Sequence, residues 1–371
     1  LAEARDMTLS LYIARRFFSS FLMVLAIFFG VMLLIDIIDQ LRLLSGQNAG
    51  IGAALRLAAL NVPESLYRIL PLITVLAAVA LFMNLARTSE LVIIRASGRS
   101  GLRFLVAPIL VSLICGMLAV AVFNPLVAAT TNRYEITRAQ LTGGGDNRLS
   151  ITPTGLWLRQ GSGTGQTVIQ AARADAFGTE LTDVTFLIFG SDGQPETRIE
   201  AATARLEPGA WALSGAIRWP LSSANPASGA ESLPDGTRIE SDLTAKGIRD
   251  SFGTPSEIAF WALPAYIDGL DRAGFSSLAH RVWFQMELAQ PLLLAAMVLV
   301  AAGFTMRPAR FGRTGILVLL AILSGFLIFF LRNFAQVLGA NGQIPVALAA
   351  WTPPVAAFMM ALGLLLHVED G

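Results

Sequence analysis

Apolar residues fall along this chain in two dense blocks on either side of a polar middle. Six runs within the blocks are long and apolar enough to cross a membrane: about 17–35, 55–85, 104–127, 286–304, 315–337 and 345–366. A helix needs roughly 20 apolar residues to span ~30 Å of hydrocarbon at ~1.5 Å per residue. The pattern therefore predicts three spans, a polar insert, and three more spans. The first run follows Arg15 and Arg16, as a signal peptide would, but it is too long for one. Asp36, Asp39 and Arg42 follow it in place of a small-residue cleavage site. Pro63, Glu64, Arg68 and Pro71 crowd the first half of the second run, which predicts a kink or a membrane entry below Pro71.

The middle alternates at a period of two rather than 3.6. Short apolar-polar runs lie at 156–159, 167–170, 184–189, 197–201, 210–213 and 237–240. Gly, Pro, Asp and Ser clusters separate them at 143–146, 161–165, 191–193, 207–209 and 234–236. Runs of that length between such turns predict an all-β sandwich or jelly roll, with 175–189 and 194–206 as neighbouring hairpin strands. From about 255 to 281 the pattern turns helical and leads back to the apolar block. Three regions result: an N-terminal transmembrane half at 1–127, a β-domain at 128–279 and a C-terminal transmembrane half at 280–371.

Composition supports the membrane reading and narrows the chemistry. Of 371 residues, 54% are hydrophobic and only 14% charged, against about 25% charged in soluble proteins. The net charge of +1 gives no bulk basic field for nucleic acid. Lys246 is the only lysine among 27 basic residues and does not follow a glycine-rich loop, so the chain has no P-loop. One cysteine, Cys115, permits no internal disulfide, and His280 and His367 with it are too few for a Cys/His zinc site. No HExxH or GxSxG occurs. The chain is read as a non-enzyme.

Arginine sets the predicted orientation. Arg15 and Arg16 precede the first span; Arg87, Arg95, Arg99 and Arg103 follow the second; Arg307, Arg310 and Arg313 follow the fourth. With six spans these segments and both termini share one side, which the positive-inside rule makes cytoplasmic. The polar middle, net acidic where the rest is net basic, then lies on the exported side. The loop at about 87–100 also has helical character. Thr88 or Ser89 can cap it, Glu90 suits its first turn, Leu91, Ile94 and Arg95 form an apolar and a charged stripe, and Gly98 ends it. A short amphipathic helix between two spans is what an attached motor would grip; a plain connecting loop is the other reading.

The run Ser89-Glu-Leu-Val-Ile-Ile-Arg-Ala-Ser-Gly resembles the cytoplasmic signature of the LptF/LptG (YjgP/YjgQ) family of lipopolysaccharide export permeases. Tyr12-Ile-Ala-Arg-Arg-Phe, Val62-Pro-Glu, Leu70-Pro-Leu, Ala289-Gln-Pro-Leu and Arg332-Asn-Phe-Ala-Gln-Val-Leu-Gly are similar to other stretches of that family, so the likeness covers essentially the whole chain. The run from Asp36 to Arg42 looks more like the LptG branch than the LptF branch, which stays the alternative.

The resemblance implies a permease subunit of an ABC-type exporter in a Gram-negative inner membrane. Such a subunit pairs with a second six-span permease and a cytosolic ATPase dimer that holds the ATP and Mg. It has no cofactor of its own. It extracts lipopolysaccharide from the outer leaflet and passes it through its β-jelly roll to a periplasmic bridge of similar jelly rolls. Arg87, Glu90, Leu91, Ile94 and Arg95 would then form the coupling helix seated on the ATPase.

Charges in or near spans are functional candidates. Arginine suits the phosphates of the head group, which singles out Arg42, Arg68 and Arg332, with Asn333 beside the last and Asp36 and Asp39 near the first. Glu64 and Arg68, four apart, can pair on one helix face. Asp36 departs from the branch, which tends to carry a basic residue there, and Asp36 and Asp39 could instead hold arginines in place. Two other classes are weighed. A secondary transporter would show charged or broken helices at mid-membrane, whereas these charges cluster near span ends. A membrane-anchored sensor or scaffold would work through its β-domain alone.

Overall fold

The computed structural model describes residues 2–45, 50–88, 90, 101–142, 149–152, 155–162, 165–175, 178–190, 194–221, 229–241, 243–244, 248, 254–273, 275–306 and 314–370. These residues form two compact units. One comprises 1–135, 259–261 and 278–371, the other 136–258 and 262–277.

The first unit is helical. Its long elements are α1 (Ala2–Leu43), α2 (Ile51–Arg87), α3 (Gly101–Leu118), a π-helical turn (Ala119–Phe123), α4 (Asn124–Thr142, up to Glu135 in this unit), α6 (Leu278–Thr305), α7 (Thr314–Ala340) and α8 (Val346–Asp370). Within them lie six stretches long and apolar enough to span a membrane: Leu9–Leu43, Ile51–Arg87, Arg103–Arg138, Leu278–Thr305, Gly315–Ala340 and Val346–His367. Helices suit this setting because their backbone hydrogen bonds are met internally. Pro63 and Pro71 do not break α2, which runs as one helix.

Burial is uneven among the spans. The most apolar window of α6 is 78% buried within the chain, whereas that of α1 is 11% buried. The core gathers Leu293, Leu294, Met297 and Val298 of α6 against Ile73, Leu81 and Phe82 of α2, Leu105 of α3 and Phe17 of α1. Small residues permit the closest approaches: a Cβ added at Gly116 of α3 would sit 2.5 Å from the Pro291 Cα of α6. Such contacts are the main source of helix association where no water is left to expel.

The second unit holds one antiparallel sheet. Its strands are β1 (Leu149–Thr152), β2 (Gly155–Ser162), β3 (Gly165–Ala174), β4 (Glu180–Phe189), β5 (Pro195–Glu207), β6 (Ala210–Pro220), β7 (Glu231–Ser232) and β8 (Thr237–Glu240). Strands β1 to β7 pair in chain order, and β8 pairs with β6. The expected hairpin is present as β4 paired with β5. Pairing in chain order is a meander, whereas a jelly roll's double Greek key pairs strands distant in sequence. Short turns between most of the strands favour this order.

The inward alternation slips at one level across four strands. Buried positions stand three apart, not two, at Ala171 and Ala174, Leu181 and Val184, Ala201 and Ala204, and Leu213 and Ala216. Asp183 (φ 52°) and Gly215 (φ 62°) mark the slip, and the ladder registers skip them. Asp and Gly are residues that tolerate this left-handed conformation. The slip keeps both halves of each strand facing one core, built on Leu156, Ile169, Phe186 and Trp211. Leu270 of α5 (Leu263–Ala273) and Phe275 belong to the same core.

Candidate functional site

Three polar groupings stand out in the helical unit. The first joins the start of α1 to the end of α2. Tyr12 and Arg16 are one turn apart, so they share a face. Arg16 Nη1 donates to both carboxylate oxygens of Glu90, at 2.8 Å each, and Tyr12 Oη donates to Glu90 Oε2 at 3.2 Å. Arg16 Nη1 also donates to Tyr12 Oη at 2.6 Å, and its guanidinium lies 5.4 Å from the ring centroid. The Arg16 hydrogen bonds hold the Glu90 carboxyl below the usual carboxylate range, against a smaller opposing effect of desolvation. Arg87 is exposed at the end of α2. Leu91, Ile94 and Arg95 lie outside the described residues, as do Arg307, Arg310 and Arg313.

The second grouping lies at the opposite ends of these helices. Asp36 is buried, and its Oδ1 accepts a 3.0 Å hydrogen bond from Asn61 Nδ2 of α2. An amide, not an arginine, thus holds Asp36. Asp39 and Arg42 are exposed. Arg68 pairs with Glu64 at 2.9 Å, as their spacing predicts, and the arginine remains exposed. Glu64 Oε2 also accepts from Thr131 Oγ1 at 3.4 Å, and Gln40 Nε2 donates to Tyr134 Oη at 3.1 Å. These contacts tie α1, α2 and α4 together.

The third grouping is buried. Glu287 of α6 is fully enclosed and accepts a hydrogen bond from Tyr67 Oη of α2. Asn124, the first residue of α4, is buried and interacts with both Tyr67 and Glu287. Arg332 of α7 is also buried; it donates to Gln290 Oε1 at 3.3 Å and interacts electrostatically with Glu287. Asn333 beside it is half-buried. Arg332, expected as a contact to the head group, has its side chain buried among the helices. The network is one the sequence reading missed. The signal was present, because Glu287 is the one acidic residue in the fourth apolar run and an acid there is costly unless partnered. Tyr67 and Asn124 gave no comparable signal.

Among the described residues no group of three His, Cys, Asp or Glu is arranged to hold a metal ion. The groupings offer charge, hydrogen bonding and helix-to-helix coupling.

Residues 11–367 match the family described as "Lipopolysaccharide export system permease LptF/LptG". The chain is 25% identical over 360 residues to the lipopolysaccharide export system permease protein LptG of Escherichia coli, covering 96% of this chain and 97% of that one. It is 23% identical over 368 residues to the LptG protein of Haemophilus influenzae, covering 98% and 99% respectively. A family match over nearly the whole length, on a chain with six apolar helices and an antiparallel sheet, makes this protein a member of the LptF/LptG family of lipopolysaccharide export permeases.

Proposed function

We propose that this chain is the LptG-type transmembrane subunit of an ABC exporter that lifts lipopolysaccharide from the outer leaflet of the inner membrane. The observation that carries the reading is the family match over residues 11–367, joined to relatives that are themselves named LptG. The termini and the Arg-rich loops face the cytoplasm. The β-domain faces the periplasm and passes lipid on to a bridge of jelly-roll proteins. A second, LptF-like permease completes the membrane path. A cytosolic ATPase dimer binds ATP and Mg and drives transport through the segment that begins at Arg87 and Glu90 and includes Leu91, Ile94 and Arg95.

At the other end, the exposed guanidinium groups of Arg42 and Arg68 meet the anionic head group, because guanidinium binds phosphate oxygens in pairs. Asp36 and Asp39 tune the charge there. Arg332 and Asn333 support the same end from α7. The test is photo-crosslinking to labelled lipopolysaccharide in the complete complex. Crosslinkers go at Arg42 and at Ile188, a half-buried position packed against the sheet core. Crosslinks at Arg42 without ATP, and at Ile188 only with ATP, are expected. Absence of a lipopolysaccharide adduct at both positions overturns the reading.

A further inference from the structure

One segment of the helical unit comes from far along the chain. Residues 259–261 belong to this unit, although 258 and 262 on either side belong to the other. The segment is held by directed contacts. The backbone N–H of Phe260 donates to Asn124 Oδ1 at 2.8 Å, in a buried setting. Trp261 Nε1 donates to the Ala121 carbonyl at 3.1 Å, inside the π-helical turn. The Phe260 ring stacks on Phe284 of α6, centroids 5.2 Å apart, and meets Trp261 edge-on at 5.1 Å.

The π-helical turn makes this seat. Its backbone is widened by one residue, so the Asn124 N–H reaches back to the Ala119 carbonyl. A widened turn shifts carbonyl groups away from their usual α-helical partners, and such turns are frequent at functional sites. The Ala121 carbonyl takes the indole N–H of Trp261. Asn124 is the hub. Its side-chain oxygen accepts from the Phe260 N–H, and its amide also interacts with Tyr67 and Glu287. Two hydrogen bonds, Tyr67 to Glu287 and the Phe260 N–H to Asn124, thus stand on either side of Asn124, whose amide interacts with both Tyr67 and Glu287.

We propose that Phe260 and Trp261 form a latch on the π-helical turn, and that Asn124 is a positioning residue that makes the latch sense how α2 and α6 are packed. The chain continues from Trp261 directly into α5 of the β-unit. A shift of α2 against α6 that parts Tyr67 from Glu287 reorients Asn124 and frees the Phe260 N–H. The state of the transmembrane helices is thereby passed to the segment that leads into the β-unit. This rests on the reading of the chain as an export permease only for its purpose; the latch itself is a property of the isolated chain.

Hydrogen exchange measured by mass spectrometry on the full chain tests it. The peptide containing Phe260 is compared in the wild type, Asn124→Ala and Tyr67→Phe. Both variants are expected to raise exchange at Phe260 about tenfold, the factor that corresponds to losing one buried hydrogen bond. Exchange around Phe186 in the β-core serves as the control and stays unchanged. Asn124→Ala tests the direct contact. Tyr67→Phe deletes one hydroxyl that does not touch Phe260 and so tests the relay. Exchange at Phe260 within twofold of wild type in Tyr67→Phe overturns the proposal, even if Asn124→Ala raises it. In the complete complex, Tyr67→Phe is expected to keep ATP hydrolysis and lose lipopolysaccharide transfer severalfold. Unchanged transfer alongside raised exchange overturns the coupling role. No transfer by the wild-type complex would instead count against the permease reading.

Discussion

Replacing Gly116 with alanine puts one methyl group where helices α3 and α6 touch. The new Cβ would lie 2.5 Å from the Pro291 Cα and 3.1 Å from both its N and its Cβ. Ordinary carbon contacts settle near 3.5–4.0 Å, so the helices must part by roughly 1 Å. Neither side can yield by rotation, because the opposing atoms are backbone and a proline ring. Overpacking of this kind costs about 1–3 kcal/mol. Alanine returns up to ~1 kcal/mol through its better helix propensity. The net expectation is a loss of about 1–2 kcal/mol. Gly30 of α1 is the matched control, since a Cβ there meets nothing within 4 Å. Thermal unfolding of the detergent-purified chain should show Gly116→Ala melting several degrees below wild type, with Gly30→Ala equal to it or higher. Gly116→Ala melting at or above the Gly30→Ala variant would refute the claim that this backbone contact limits how closely α3 and α6 can pack.

Two further outcomes follow from the charged groups. Glu90→Gln and Arg16→Gln should each loosen the contact between α1 and the loop, with a coupling energy of about 1 kcal/mol in a double-mutant cycle. Because the Glu90 carboxyl is held below its ordinary value, this contribution is present above about pH 4.3 and fades as pH falls through the lowered one. A stability difference between wild type and Glu90→Gln that grows on acidification contradicts this. In the buried network, Glu287→Leu leaves the Tyr67 hydroxyl without its acceptor and removes the carboxyl that interacts with Arg332, and should cost about 1–3 kcal/mol. Adding Arg332→Leu should restore much of the loss, measured by the same unfolding assay; a double variant weaker than the single one excludes the electrostatic account.

The six spans and the β-region were legible because their signals are local. Length, apolarity and turn chemistry need no knowledge of what packs where. The Glu64–Arg68 pair was legible for the same reason, since four residues on a helix fix a distance. Tyr67 and Glu287 are 220 positions apart, and Arg16 and Glu90 are 74 apart, so nothing in local pattern joins them. The crease at Asp183 and Gly215 was hidden differently. There the period-two alternation breaks in four strands at once, which in any single strand reads as noise. The sheet order was open because turn residues mark where strands end without saying which strands pair.

The deep burial of α6 bears on how the protein is made. The helix that fills the centre of the helical unit begins at Leu278, after the whole β-sheet in chain order. Helices α1 to α4 therefore enter the membrane first, with the face meant for α6 turned to lipid. At usual synthesis rates the β-unit takes on the order of ten seconds to follow. During that interval the small residues around Gly116 and the polar groups of Tyr67 and Asn124 have no α6 against them. Nascent chains stalled between Thr142 and Leu278 should thus be the species that membrane quality control recognises.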